Sequence, residues 1–223
     1  CQVMGLFHRE VADAPAPTAL LLPTVPPRAT ASPVPPQAVP PRDEVALPPS
    51  FGISVFAEGL SGPRMMALGP DDQVYVAERG GGRILRLPDR NRDGLADDVE
   101  VVADGLDAPS SLDFYRDGSL YVGETTRILH LTDPDGDGGF QEQEVIISGL
   151  PSGGHSTRTV LFSPDWEFLY VSIGSSCNVC IEEDERRAAI MRYGPDGSDG
   201  SVYAEGLRNA VGITFRPGTS QLW

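Results

Sequence analysis

Apolar and polar positions along this chain alternate in short bursts. No stretch shows the three-to-four-residue period of a long amphipathic helix. From residue 51 onward, apolar runs are separated by turn-forming clusters. The runs MMAL (65–68), SLDF (111–114), VLF (160–162) and ITF (213–215) are followed by GPDD, YRDG, SPDW and RPGT. A second strand-like run comes next: QVYVAE, SLYVGE, FLYVSI and QLW. A third closes each of the first three units as RILRL, RILHL and AAIMRY. Short apolar runs rich in Val, Ile, Leu and Tyr between Gly, Pro and Asp read as β-strands and their turns.

A Gly-Leu pair opens each unit, at Gly59, Gly105, Gly149 and Gly206, in steps of 46, 44 and 57 residues. Units of that size with several short strands fit β-propeller blades, whose repeat is roughly 40–50 residues. The predicted fold class is therefore all-β. The predicted domain spans residues 51–223 and holds three blades and the opening of a fourth. An open arc leaves raw strand edges, so the chain is expected to be the front part of a longer propeller. The longer third step is explained by the charged run Glu182–Arg187, read as a solvated loop.

Residues 1–50 behave differently. They hold twelve of the 21 prolines and only four of the 32 acidic residues. Proline fixes φ and removes a donor, so this segment is predicted to be an extended, coreless spacer. The chain begins with Cys1. A leading cysteine followed by a Pro/Ala/Thr-rich tether resembles a mature bacterial lipoprotein. That resemblance implies a lipid on Cys1 and an extracytoplasmic location at the cell envelope, in the periplasm or on the cell surface. The only membrane contact would be through that anchor, since no apolar run is long enough to span a bilayer.

Charge narrows the partners. The 223 residues carry 17 basic and 32 acidic side chains, a formal net charge of −15, and every basic residue is arginine. Nucleic acid is a poor partner for such a chain, because phosphate binding needs clustered positive charge. A lysine Schiff base is excluded. The remaining cysteines, Cys177 and Cys180, form a lone CxxC. A redox dithiol is expected in a βαβ setting and a zinc site needs a second ligand pair. A small structural disulfide in an oxidising compartment is the preferred reading.

Aligning the units on their first apolar run singles out one position. His155 and Arg208 lie seven residues before Phe162 and Phe215; the same offset gives Asp107 and Ser61. Equivalent positions in a propeller gather at one mouth of the central channel. A histidine suits proton abstraction, and an arginine offers a fixed cationic fork. Side chains that merely plug the channel would show the same spacing. Two acidic loops also stand out. Asp89, Asn91, Asp93 and Asp97 alternate oxygen ligands around Gly94, as calcium loops do. The run Asp133–Gly138 is similar but lacks a closing carboxylate. Asp and Gly make ordinary turns in the same pattern.

The segments GGHSTRTVLFSPDWEFLYVSIGSSCNVC (153–180) and GLRNAVGITFRPGTSQLW (206–223) resemble the PQQ-dependent sugar dehydrogenases of the soluble glucose and L-sorbosone type. That resemblance, over residues 51–223, implies a six-bladed propeller. It would oxidise an aldose or related sugar with PQQ and calcium and pass electrons to an external acceptor. It implies His155 as the base, and Arg208 with Asn209 as cofactor contacts. Departures are visible: Ala210-Val211 replaces the usual Pro-Gln, Gly154 replaces an aspartate, and a cofactor-holding glutamine has no counterpart in GLDAPSS. Two alternatives stay open. One is a calcium-dependent propeller lactonase, for which only Asp107 offers a carboxylate among the four aligned positions. The other is a non-catalytic binding propeller in which His155 is structural.

Overall fold

The computed structural model describes residues 46–223. Cys1 and nearly all of the proline-rich segment lie outside the described residues. Twelve strands form three four-stranded antiparallel sheets, and no helix occurs among the described residues. The first sheet is a meander of β1 (Pro63–Leu68), β2 (Val74–Glu78), β3 (Arg83–Leu87) and β4 (Glu100–Ala103). The second comprises β5 (Ser111–Phe114), β6 (Leu120–Gly123), β7 (Ile128–Thr132) and β8 (Glu142–Ile147). The third comprises β9 (Arg158–Phe162), β10 (Leu169–Ile173), β11 (Ala189–Tyr193) and β12 (Ser201–Ala204). Beyond β12 a single antiparallel bridge joins Phe215 to Leu222, with Thr214 and Trp223 exchanging backbone bonds. That bridge is the opening hairpin of the fourth unit. The all-β propeller expected from the repeat is the fold observed, with three blades and the start of another.

Each sheet is apolar on both faces because blades stack face to face. This is why β6 and β10 are buried along their whole length rather than alternating. Between the first two blades, Ile84 and Val102 meet Leu112, Phe114, Val122 and Leu129. Tyr75 packs edge-on to Phe114 with centroids 4.8 Å apart. Between the second and third, Ile128 and Ile147 meet Val160, Phe162 and Val171. Tyr121 lies edge-on to Phe162 at 4.7 Å. Phe56, Ala57 and Leu60 cover the outer face of the first blade over Val76, Leu85 and Leu87.

The recurring Gly-Leu pair has a conformational cause. Gly59, Gly105, Gly149 and Gly206 all have φ between +64° and +78°. A Cβ at any of them would meet nothing within 4 Å, so the backbone requires glycine and space does not. The turn aims the next residue at the core: Leu106 and Leu150 are buried between blades. Their N–H groups donate to the carbonyls of Gly82 and Thr126, and Leu207 donates to Ala188.

Innermost strands β1, β5 and β9 stand side by side. Short polar side chains of β5 and its lead-in bind the neighbouring strand. Arg158 N donates to Ser110 Oγ at 2.9 Å, Val160 N to Ser111 Oγ at 3.0 Å, and Phe162 N to Asp113 Oδ2 at 2.8 Å. Backbone donors on every second residue of β9 are thus satisfied across the blade boundary.

Candidate functional site at the mouth of the inner strands

The segment leading into each inner strand is fastened at the aligned position, but not in the same way. In the first two blades a buried carboxylate from the end of the second strand does it. Glu78 Oε1 accepts Ser61 N–H at 2.6 Å, and Glu124 Oε1 accepts Asp107 N–H at 2.7 Å. Both carboxylates are fully buried and paired with a partly exposed arginine, Arg83 and Arg127 respectively. Ser61 and Asp107 therefore occupy equivalent places, yet neither touches His155 or Arg208.

The third blade has Ile173 where the others have these glutamates, and a serine takes over. His155 N–H donates to Ser175 O at 2.9 Å, while Ser175 N–H donates to Arg208 O at 2.8 Å. His155 and Arg208 are thus tied through one residue. The imidazole is oriented by the same serine: Nδ1 lies 3.2 Å from Ser175 O and 3.1 Å from Ser175 Oγ. A carbonyl can only accept, and the Ser175 hydroxyl already donates to Cys177 O at 2.5 Å. Nδ1 is then the donor, and in the neutral imidazole Nε2 carries the lone pair. Gly174 keeps this corner tight. A Cβ there would lie 2.5 Å from His155 Cβ, 2.6 Å from His155 O and 2.7 Å from Asn209 Oδ1. Asn209 therefore abuts the same corner. Arg208 is exposed, and its Nη2 donates to Asn178 Oδ1 at 2.7 Å. Thr159, also unread in the sequence, donates to Val211 O at 2.6 Å and joins the third blade to the fourth segment.

Arginines concentrate at this end. Arg158 is fully buried without a carboxylate partner. Its guanidinium donates to the carbonyls of Pro151, His155 and Thr157, and Nε has no partner. Burial, with Arg187 and Arg79 nearby, pulls its pKa down to about 10. Arg187 binds the carbonyls of Ser152 and Gly153, and Arg79 binds Ala108 O. Among the described residues, Arg83, Arg86, Arg90, Arg127 and Arg186 each have an ion-paired carboxylate; Arg79, Arg158, Arg187 and Arg208 at this end have none, nor do Arg64, Arg92, Arg116, Arg192 and Arg216. A chain of net charge −15 thus keeps four uncompensated guanidinium groups at one end. The signal for Arg158 was a charge opening β9 just before its apolar run, at the place Ser110 holds in the second unit.

The acidic loops lie at the other end of the blades, beyond the far ends of β3 and β7. Asp89 accepts Asp93 and Gly94 N–H groups, Asn91 and Asp93 accept backbone N–H groups within the loop, and Asp97 accepts Arg90 N–H. These oxygens are turned inward to the backbone. Three carboxylates do approach one another in the second loop, Asp133, Asp135 and Asp137. Cys177 and Cys180 form a disulfide. At the His155 end, Glu182 is the one carboxylate that approaches the Cys177 and Cys180 sulfurs among the described residues.

Fold and mouth together define a β-propeller with a polar, arginine-lined end. The chain belongs to the TrAA12-like family, whose profile matches residues 45–223. It is similar to the holo form of the pyranose dehydrogenase PQQ domain from Coprinopsis cinerea, at 24% identity and a TM-score of 0.62, over 71% of this chain and 42% of that one. It is also similar to the calcium structure of the family AA12 enzyme from Trichoderma reesei, at 20% identity and 0.66, over 75% and 46%. A third neighbour is the PQQ-bound aldose sugar dehydrogenase from Streptomyces coelicolor, at 19% and 0.53, over 65% and 48%. The chain thus spans less than half the length of each of these structures. No curated protein matches the sequence. The resemblance to PQQ-dependent sugar dehydrogenases read from the sequence agrees with this family and these neighbours.

Proposed function

We propose that the protein is a PQQ-dependent sugar oxidoreductase, with its site at the mouth where His155 and Arg208 meet. The observation that carries this reading is the orientation of His155. Its Nδ1 is fixed as a donor to Ser175, so Nε2 is the basic atom. In the proposed reaction Nε2 takes the proton from the sugar hydroxyl as the C–H bond is oxidised. General-base help of this kind contributes roughly 10²–10⁴-fold.

The residues fit the cofactor. PQQ is a quinone bearing three carboxylates, and four guanidinium groups without anionic partners stand at this end, one with an unpartnered buried Nε. Arg208 and Asn209 would hold the quinone side, and the other arginines supply field for its carboxylates. When bound, PQQ supplies the two-electron acceptor that the side chains lack, and an external acceptor re-oxidises it. Calcium, if held by the Asp89, Asn91, Asp93 and Asp97 loop, would be structural, since that loop lies at the far end from His155. The disulfide supports an oxidising, extracytoplasmic compartment.

Dye-linked oxidation by the full-length protein, across a panel of aldoses and with PQQ and calcium added or withheld, tests this reading. PQQ-dependent dye reduction is expected. A folded protein that reduces no dye with any sugar at any PQQ concentration would overturn it in favour of a binding propeller.

A further inference from the structure

Residues 177–180 bear on both members of the site at once. The loop projects from the end of β10, and among the described residues 178–181 make no backbone–backbone hydrogen bond. Val179 and Ile181 are 96% and 97% exposed, so no core packing holds the loop either. What fixes it is the Cys177–Cys180 bridge and the bond from Ser176 N–H to Glu182 Oε1 at 2.8 Å. Two contacts join this bridged loop to the site. Cys177 O accepts the Ser175 hydroxyl that orients His155, and Asn178 Oδ1 accepts Arg208 Nη2 at 2.7 Å. Arg208 has no other side-chain partner among the described residues. An exposed arginine with several rotatable bonds loses most of its rotamer freedom only when something holds its head. A neutral amide holds it without cancelling its charge, which a carboxylate would do.

We propose that Asn178 is a positioning residue, presented by the disulfide-closed loop, that presets the Arg208 guanidinium toward the bound anion at the mouth. This rests on the reading of Arg208 as a PQQ contact, and it adds the element that aims it. The disulfide acts through Asn178 and is no redox participant. Preorganisation of this kind lowers the ordering cost of binding.

A double-mutant cycle in the full-length protein tests the proposal, with PQQ affinity read from quenching of protein fluorescence. Asn178→Ala is expected to weaken the PQQ Kd roughly fivefold, the ordering cost of one rotamer-rich side chain. In an Arg208→Gln background the same substitution should change Kd less than about twofold. The paired Cys177→Ser and Cys180→Ser variant should match Asn178→Ala. An equal effect in both backgrounds, or no effect in the wild type, overturns the proposal. A readout on the protein without cofactor separates it from the cofactor reading. In arginine side-chain ¹⁵N spectra, Arg208 should show slowed guanidinium rotation in the wild type and free rotation in Asn178→Ala. If the wild type binds no PQQ, the cofactor reading falls, and the spectra alone decide: slowed rotation upholds the clamp, free rotation ends it.

Discussion

Replacing Asp113 by asparagine isolates a half-buried carboxylate between the inner strands. Asp113 lies in β5, and its carboxylate accepts Phe162 N–H at 2.8 Å and Phe114 N–H at 2.9 Å. Burial pushes its pKa from 3.8 up to about 6, and the two backbone donors only partly oppose that rise. Between these values the folded protein holds a proton that the unfolded chain has released. The stability linked to Asp113 is therefore complete below about pH 4 and is lost as pH rises through about 6. Two pKa units correspond to about 3 kcal/mol, of which roughly 2 kcal/mol falls between pH 4 and pH 7. Asparagine keeps one acceptor oxygen and does not titrate. Urea unfolding of the full-length wild type and of Asp113→Asn, at pH 4, 5, 6 and 7, gives the difference directly, because groups common to both proteins cancel. The difference should shift in favour of the variant by about 2 kcal/mol over that range. A difference that stays constant within about 0.5 kcal/mol would show that Asp113 is not desolvated at the blade boundary.

Gly174→Ala should displace the His155 corner, since its Cβ would stand 2.6 Å from His155 O. Turnover is expected to fall by roughly tenfold to a hundredfold, with the urea midpoint changed far less; unchanged kcat would mean the corner yields without moving the base. Glu124→Ala removes the buried acceptor of Asp107 N–H. It should cost about 1–3 kcal/mol by urea unfolding, and no change would mean that water replaces the carboxylate. Leu129→Ala empties a 2%-exposed position between blades and should cost about 2–5 kcal/mol in the same assay.

The blade architecture was legible because three signals agreed: a recurring Gly-Leu pair, apolar runs of strand length and a turn after each first run. The fourth strand of each blade was not. β8 and β12, EQEVII and SVYA, are largely exposed outer strands, and neither has before it the Gly-Leu turn that marks the inner runs. They are strands because the third strand offers its free edge. At the site, the seven-residue offset identified His155 and Arg208, and the structure joins them through Ser175. Ser61 and Asp107 share the offset but are held by glutamates, a difference set by Ile173 replacing a carboxylate at the end of β10. Arg158 was passed over because burial without a partner is a three-dimensional property. The Asp89 and Asp133 loops carry the same alternation of oxygens. In both loops the carboxylates accept backbone N–H groups of their own turn, and only the backbone decides that the second also brings three carboxylates together.

The most direct test of the central claim compares turnover of the full-length wild type with that of His155→Ala at equal PQQ occupancy, on whichever sugar the wild type oxidises best. Loss of about 10²–10⁴-fold in kcat with unaltered PQQ binding is predicted for a base at this position. Wild-type turnover in the variant, with the cofactor bound equally, would contradict the account and leave His155 as a packing residue.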